Sequence, residues 1–306
     1  MSVLPGLLGT PDHHGRYDYS AIVDRPNFTW PGGARLAIHI DVNVEWFAFD
    51  DAGGAVLASR NPVPDVLNYA WRDYGNRVGL WRMLALLDEL ELPAAALLNA
   101  AVTEHAPRIV EAFAARGDEF VAHGHTNSDE PGEMSKRGER SVIERSRDAL
   151  RDVTGAAPKG YLAPLISESA HTPDLLDAAG FEYLLDWAHD EQPVWFETDR
   201  SEGGAGRILS VPYPQELNDV PQIMGRRREG AEFADMIRSA YGVHREECEA
   251  RPVVMGIALH PYLMGQAHRF AHLAAVLREL REKADDKVWF TTPGAISDHF
   301  RGLHLA

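Results

Sequence analysis

Three observations predict an α/β barrel of about seven or eight parallel strands. Short apolar runs alternate about eight times with amphipathic or charged segments over 306 residues. The runs are continuous rather than alternating, as in strands covered on both faces. No composition break, internal repeat or low-complexity stretch marks a linker, so at this count and length the sheet is expected to close on itself. The division expected is an irregular N-terminal arm over residues 1–33 and a single barrel domain over residues 34–306.

The arm is rich in Pro, Gly, Asp and His, shows no period, and ends at Pro31-Gly32-Gly33. Residues 34–40 read as the first strand, delivering Asp41, Asn43 and Glu45 to its end. Residues 46–74 read as a long connection with Pro62 and Pro64, of the length used for lids and specificity loops. Leu80, Met83, Leu84, Leu87 and Leu90 share one face of a helix over 79–91. Residues 94–98 are the second strand, ending at Asn99, and 103–115 a helix stopped by Gly117. The third strand ends in Phe120-Val121-Ala122-His123-Gly124-His125. Gly124 frees the backbone to turn there and leaves His123 at a mouth.

A charged helix follows over 139–153, then a strand over 161–163 running into Pro164. Thr172-Pro173-Asp174 opens a helix with a cap, a first-turn proline and a carboxylate, and Gly180 closes it. Residues 183–185 deliver Asp186 and Trp187; residues 208–211 deliver Pro212, Tyr213 and a polar loop through Glu216, Asn218 and Asp219. A helix over 229–249 precedes the strand 253–259, which delivers His260 before Pro261 forces the chain out of the sheet. A helix over 268–282, a strand over 288–290 and a short final helix complete the pattern.

Composition bounds the function. The net charge is -16, with 46 acidic against 30 basic residues, which disfavours a non-specific grip on nucleic acid or an anionic membrane. Cys248 is the only cysteine, so a disulfide framework and a multi-thiolate site are excluded. No apolar run approaches a membrane span, and residues 1–10 do not read as a secretory leader, so a cytoplasmic location is expected. Asp41, Asn99, His123, Asp186, Tyr213 and His260 all fall where a strand hands over to a loop, the rim on which barrel enzymes build their sites.

The Ile38-His39-Ile40-Asp41, Ala122-His123-Gly124, Tyr161-Leu162-Ala163-Pro164 and Leu259-His260-Pro261 segments, in that order, resemble the polysaccharide deacetylase superfamily (carbohydrate esterase family 4-like). Within it the likeness is to the branch of peptidoglycan-deacetylase-like proteins and cofactor-free allantoinases, over residues 34–300. The resemblance implies an irregular (β/α) barrel, hydrolysis of non-peptide carbon–nitrogen amide bonds (removal of an acetyl group or opening of a ureide), and subunits that associate. It places Asp41 as the first-strand aspartate, His123 as the first metal-motif histidine and His260 as the general acid. In deacetylase members it also implies a divalent metal, usually zinc, here on Asp41 and His123. Two departures weigh against that metal. The second metal histidine, four positions after His123, is replaced by Asn127, and His39 or Asn43 stands where a second acidic residue belongs.

Amide hydrolysis needs an activated water, a stabilised oxyanion and a proton for the leaving nitrogen. The expected catalytic residues are therefore Asp41, Glu45, His123 and His260, with the choice of Asp41 or Glu45 as base open. Asn43, Trp46, Asn127, Asp129, Pro164, Asp186, Trp187 and Tyr213 are the expected contacts to a small-molecule or sugar substrate. Two rivals remain: a binding barrel that has lost catalysis, with Asn127 as its mark, and a metal-dependent amidohydrolase built on His123 and His125. The latter needs its histidine pair at the first strand and an aspartate at the last, and residues 288–292 contain no aspartate.

Overall fold

The computed structural model describes residues 14–49, 54–59, 62–200 and 204–303. The first 13 residues of the arm and residues 50–53 and 60–61 of the long connection lie outside the described residues. One nine-stranded sheet organises the molecule. Its strands are β1 (Leu36–Val44), β2 (Ala95–Leu98), β3 (Glu119–Ala122), β4 (Gly160–Tyr161), β5 (Tyr183–Leu184), β6 (Val194–Arg200), β7 (Gly204–Ser210), β8 (Val253–Leu259) and β9 (Val288–Thr291). They run in the spatial order β6-β7-β5-β4-β3-β2-β1-β8, with β9 beside β1. Every pairing is parallel except β6 with β7. That leaves eight parallel strands in an irregular barrel, with β6 as an antiparallel edge.

Strand β1 is central and buried along its whole length. Leu36, Ile38, Ile40, Val42 and Val44 face outward into the layer shared with the helices. Alternation turns Ala37, His39, Asp41 and Asn43 to the barrel axis. There Ala37 meets Ala95, Val121, Leu162, Tyr183, Leu209 and Val254, one or more residues from most of the other strands. One edge of β1 pairs with β8 along Leu36–Val42. The other is divided, β9 pairing with Leu36–His39 and β2 with Asp41–Val44. The lower end is plugged by the arm and the last helix, α9 (Pro293–Gly302), through Trp30, Phe28, Ile296 and Phe300.

No ladder joins β7 to β8. Loops close that seam: Asn218 forms an isolated bridge with Ala258, Leu217 O accepts the Ala258 N–H at 3.0 Å, and Glu191 O accepts the Val254 N–H at 2.8 Å. Inside the seam the His39 ring lies with Nε2 2.9 Å from Pro212 O and Nδ1 2.8 Å from Asp41 Oδ2. A carbonyl can only accept, so Nε2 is protonated, and the carboxylate favours a proton on Nδ1 as well. Burial opposes a charged His39, but Asp41 holds its pKa above the ordinary value. Gly256 makes room for the ring, since a Cβ there would come within 2.8 Å of His39 Cε1.

The structure departs from the expected elements in four places. Strand β1 runs on through Val44 rather than stopping at Ile40, because the alternation of apolar and polar residues continues. Helix α1 (Val66–Tyr74), capped by Asp65, occupies the end of the long connection and runs through a π turn at Gly75–Gly79 into α2 (Leu80–Glu89). The helix expected over 103–115 is split by Pro107 into α3 (Ala101–His105) and α4 (Pro107–Arg116). Strand β6 went unread; only Phe196 and Thr198 of its core side are buried, the short period-2 pattern of an edge. The other helices are α5 (Lys136–Thr154), α6 (Thr172–Ala178), α7 (Gly230–Glu247) and α8 (Ala267–Lys283).

Candidate active site

Glu45, one residue past β1, His123, one past β3, and His260, one past β8, meet at the upper rim. Glu45 Oε1 lies 3.3 Å from His260 Nε2 and 3.9 Å from His123 Nε2, and it accepts a 2.7 Å hydrogen bond from Asn127 Nδ2. All four residues line a cavity of about 250 Å³, together with Asn43, Tyr213 and Tyr262. Strand geometry explains the convergence. Residues 41, 43 and 45 share a side, so the inward alternation of β1 carries Glu45 to the rim.

His260 is held from below. Asp219 Oδ1 lies 2.6 Å from its Nδ1, and Asp219 Oδ2 accepts its backbone N–H at 2.8 Å. Burial works against a charged ring, but the Glu45 and Asp219 carboxylates on either side push the His260 pKa up to about 10. Burial would likewise raise Glu45, yet the charge and the hydrogen bond of His260 hold it at about 2. Burial pushes Asp219 above the usual carboxylate range against the pull of His260. The free site therefore carries a protonated His260 between two carboxylates.

His123 is fixed differently. Its Nδ1 lies 2.9 Å from Leu162 O, an acceptor that places a proton on that nitrogen and turns Nε2 toward the cavity. Asn99 Oδ1 accepts the Trp46 N–H at 2.8 Å while its Nδ2 donates to His123 O, tying the β1 and β3 rims together. Asn127 N–H donates to Trp46 O at 2.8 Å. At Gly124 the φ of +64° gives the turn, and any Cβ would strike Pro164 Cγ at 2.4 Å. Tyr213 and Asn43 bond each other at 3.1 Å under the cavity.

Several expected residues are elsewhere. Asp41 does not line the cavity; it is buried about 13 Å down the strand from residue 45, four residues at ~3.3 Å each, against His39. The longer β1 is the reason: Asp41 is mid-strand rather than strand-end. Trp46 stacks on His105 at 4.8 Å. Asp129 Oδ2 accepts the Thr126 N–H at 3.0 Å and shapes its own loop. Asp186 accepts the Ala163 N–H at 2.8 Å under the Pro164 turn, where burial and Glu168 push its pKa well up. Trp187 packs on Phe196 at 5.0 Å and donates to Glu168 at 2.7 Å, and burial raises Glu168 to about 7. Neither Asp186, Trp187, Trp46, Asp129 nor Pro164 lines the cavity. The turn that Pro164 begins does, through Leu165 and Ile166, both with left-handed φ, 58° and 54°. His125 is exposed while His123 is buried, so the two do not form a pair.

Asp219, Gln215, Tyr262, Leu165 and Ile166 are at the site without having been singled out. Asp219 lay in a loop noted only as polar, and no local spacing ties it to a histidine 41 residues later. A larger groove of about 820 Å³ opens against α7 outside the seam. It contains none of Glu45, His123 and His260, so size does not locate the chemistry.

A catalytic zinc takes three protein ligands as a rule. The cavity offers His123 Nε2 and Glu45, while Asp41 is taken up by His39 and Asn127 gives its N–H to Glu45. Among the described residues, the one group bringing three His, Asp, Glu or Cys donor atoms within 4.8 Å of one another is Glu191, His244 and Glu247, at the outer groove. The donors at the cavity do not fit the tetrahedral metal site that the sequence resemblance implies, and in particular Asp41 and His123 do not make one. No helix among the described residues is long and apolar enough to cross a membrane.

The chain and its fold have counterparts among known proteins. Residues 69–184 match the polysaccharide deacetylase family. A putative polysaccharide deacetylase of Schizosaccharomyces pombe is 25% identical over 302 residues, covering 90% of this chain and 93% of the relative. A peptidoglycan deacetylase of Helicobacter pylori is 30% identical over 170 residues, 49% of this chain and 58% of the relative. The solved structure of Puue allantoinase superposes with a TM-score of 0.81 at 25% identity, covering 94% of this chain and 99% of that one. A probable polysaccharide deacetylase from Pseudomonas aeruginosa PAO1 gives 0.81 at 26% identity, covering 91% and 95%.

Proposed function

We propose that the chain is a member of the polysaccharide deacetylase superfamily, a hydrolase of carbon–nitrogen amide bonds, and that its substrate is a compact neutral amide, a ureide or a single acylamide, cleaved without a metal. The observation that carries this reading is the His260 imidazolium between Glu45 and Asp219, facing the lone pair of His123 across a cavity of about 250 Å³. No Lys or Arg lines that cavity among the described residues, and the His260 imidazolium is already flanked by the Glu45 and Asp219 carboxylates, so the lining disfavours a carboxylate or phosphate. Its volume falls below the ~300 Å³ at which drug-sized ligand pockets begin.

In the proposed reaction a water donates its two protons toward Glu45 Oε2 and His123 Nε2, buried acceptors with no partner among the described residues. It attacks the substrate carbonyl as its proton passes to His123 Nε2. The oxyanion forms beside the Leu165 peptide N–H, the candidate donor, since the N–H groups of Ile166 and Ser167 are given to Ala163 O and Pro164 O. Collapse breaks the C–N bond as His260 Nε2 gives its proton to the leaving nitrogen. Solvent then returns one proton to His260 and takes one from His123. Glu45 itself, held at about 2, is too weak a base to lead; it keeps His260 charged and aims the water. Asp41 supports the barrel beneath.

The test is product formation by the purified protein from allantoin, N-acetylglucosamine and simple ureides, with and without zinc. Hydrolysis of a small amide in chelator-treated protein supports the proposal. Hydrolysis of none of them, or activity only on added zinc, contradicts it.

A further inference from the structure

Two polar atoms of residues lining the cavity have no partner among the described residues and are of opposite kind. Asn127 Oδ1 is a buried acceptor and Gln215 Nε2 a buried donor. The Asn127 amide cannot turn over: its Nδ2 donates to the Glu45 carboxylate at 2.7 Å, and a carboxylate only accepts. Its oxygen is thereby committed to a donor that the described residues do not provide. Asn127 is 2% exposed, so the unmet acceptor is costly unless a ligand meets it. Gln215 stands on the loop that also carries Tyr213, Asn218 and Asp219, in the wall between the cavity and the outer groove.

We infer that Asn127 and Gln215 are the specificity-determining pair of this site, Asn127 Oδ1 accepting a substrate N–H and Gln215 Nε2 donating to a substrate carbonyl. The inference rests on the compact neutral substrate proposed above, and adds what is read on it. A substrate must offer both an N–H and a second, non-reacting carbonyl. Such a site rejects an analogue lacking either group, because its own buried polar atom is then left unpaired. The replacement of a histidine by Asn127 is on this account a change from holding a metal to reading an amide.

The test is equilibrium binding, which does not require turnover and so stands apart from the hydrolysis assay. Three probes serve: hydantoin, imidazolidin-2-one, which lacks one carbonyl, and 1,3-dimethylhydantoin, which lacks both N–H groups. The native protein should prefer hydantoin to each analogue by about tenfold. Gln215→Leu should abolish the preference over imidazolidin-2-one and keep that over 1,3-dimethylhydantoin; Asn127→Ala should do the reverse. General loosening of the fold cannot produce that crossed pattern. The inference is overturned if the native protein binds no probe, shows no preference, or if either variant alters both preferences alike.

Discussion

Asp219 grips His260 at two points, accepting its backbone N–H at 2.8 Å and standing 2.6 Å from its ring Nδ1. The first bond sets where the ring sits after β8; the second fixes which nitrogen faces the cavity and favours its charge. Replacing Asp219 by Asn keeps the size and removes the charge. We expect kcat to fall by about 10- to 100-fold, as for other groups that orient a catalytic histidine. The alkaline limb of kcat/KM should also move to lower pH. A pH–rate profile of the variant checks this; an unmoved limb would mean that Asp219 acts only through the backbone.

The charged trio also sets a pH window for stability. His260 is raised from 6.5 to about 10, so its contribution is complete below 6.5 and is lost as pH rises through about 10. Glu45 is lowered from 4.5 to about 2, so its contribution is complete above 4.5 and is lost as pH falls toward 2. Both are whole between 4.5 and 6.5. Thermal unfolding across pH should show that plateau, with His260→Gln removing the alkaline decline that this residue causes.

Asp41 provides a sharp contrast with Glu45. Asp41→Asn leaves the His39 charge buried without its counter-ion, a change that costs about 3–5 kcal/mol in such pairs. Glu45→Gln instead should lower kcat by about 10²–10⁴-fold, the range for groups acting on proton transfer. Urea unfolding together with steady-state kinetics separates the two. A folded Asp41→Asn protein of native stability with kcat reduced as far as in Glu45→Gln would return Asp41 to the chemistry.

Metal dependence has its own outcome. With His260 holding a proton between two carboxylates, His123 Nε2 and Glu45 are the donors left for a metal, so dialysis against a chelator should leave the rate unchanged, and added zinc should not raise it. Elemental analysis beside the assay checks it; stoichiometric zinc whose removal ends activity would contradict the proposed mechanism.

The barrel was legible because its strands are continuous apolar runs ended by polar residues, as at Leu259-His260 and Ala122-His123. Rim histidines follow from that pattern. What was not legible depends on chain separation or on strand length. The partnership of Asp219 with His260 crosses 41 residues and arises only because the loop after β7 closes an unpaired seam. Asp41 reads as a strand end because it is the first acidic residue after the largely apolar run 34–40, yet the period-2 pattern carries the strand two pleats further. Trp46 and Trp187 are aromatic residues near strand ends, and sequence gives no sign of which side of a loop they face; here they stack on His105 and Phe196.

The most direct measurement compares native protein and His260→Asn on two amides that differ only in the basicity of the leaving nitrogen. If His260 delivers the proton that lets the C–N bond break, the variant loses about 10²–10⁴-fold on the amide with the more basic nitrogen and far less on the activated one. Equal losses on both, or none, would contradict the account.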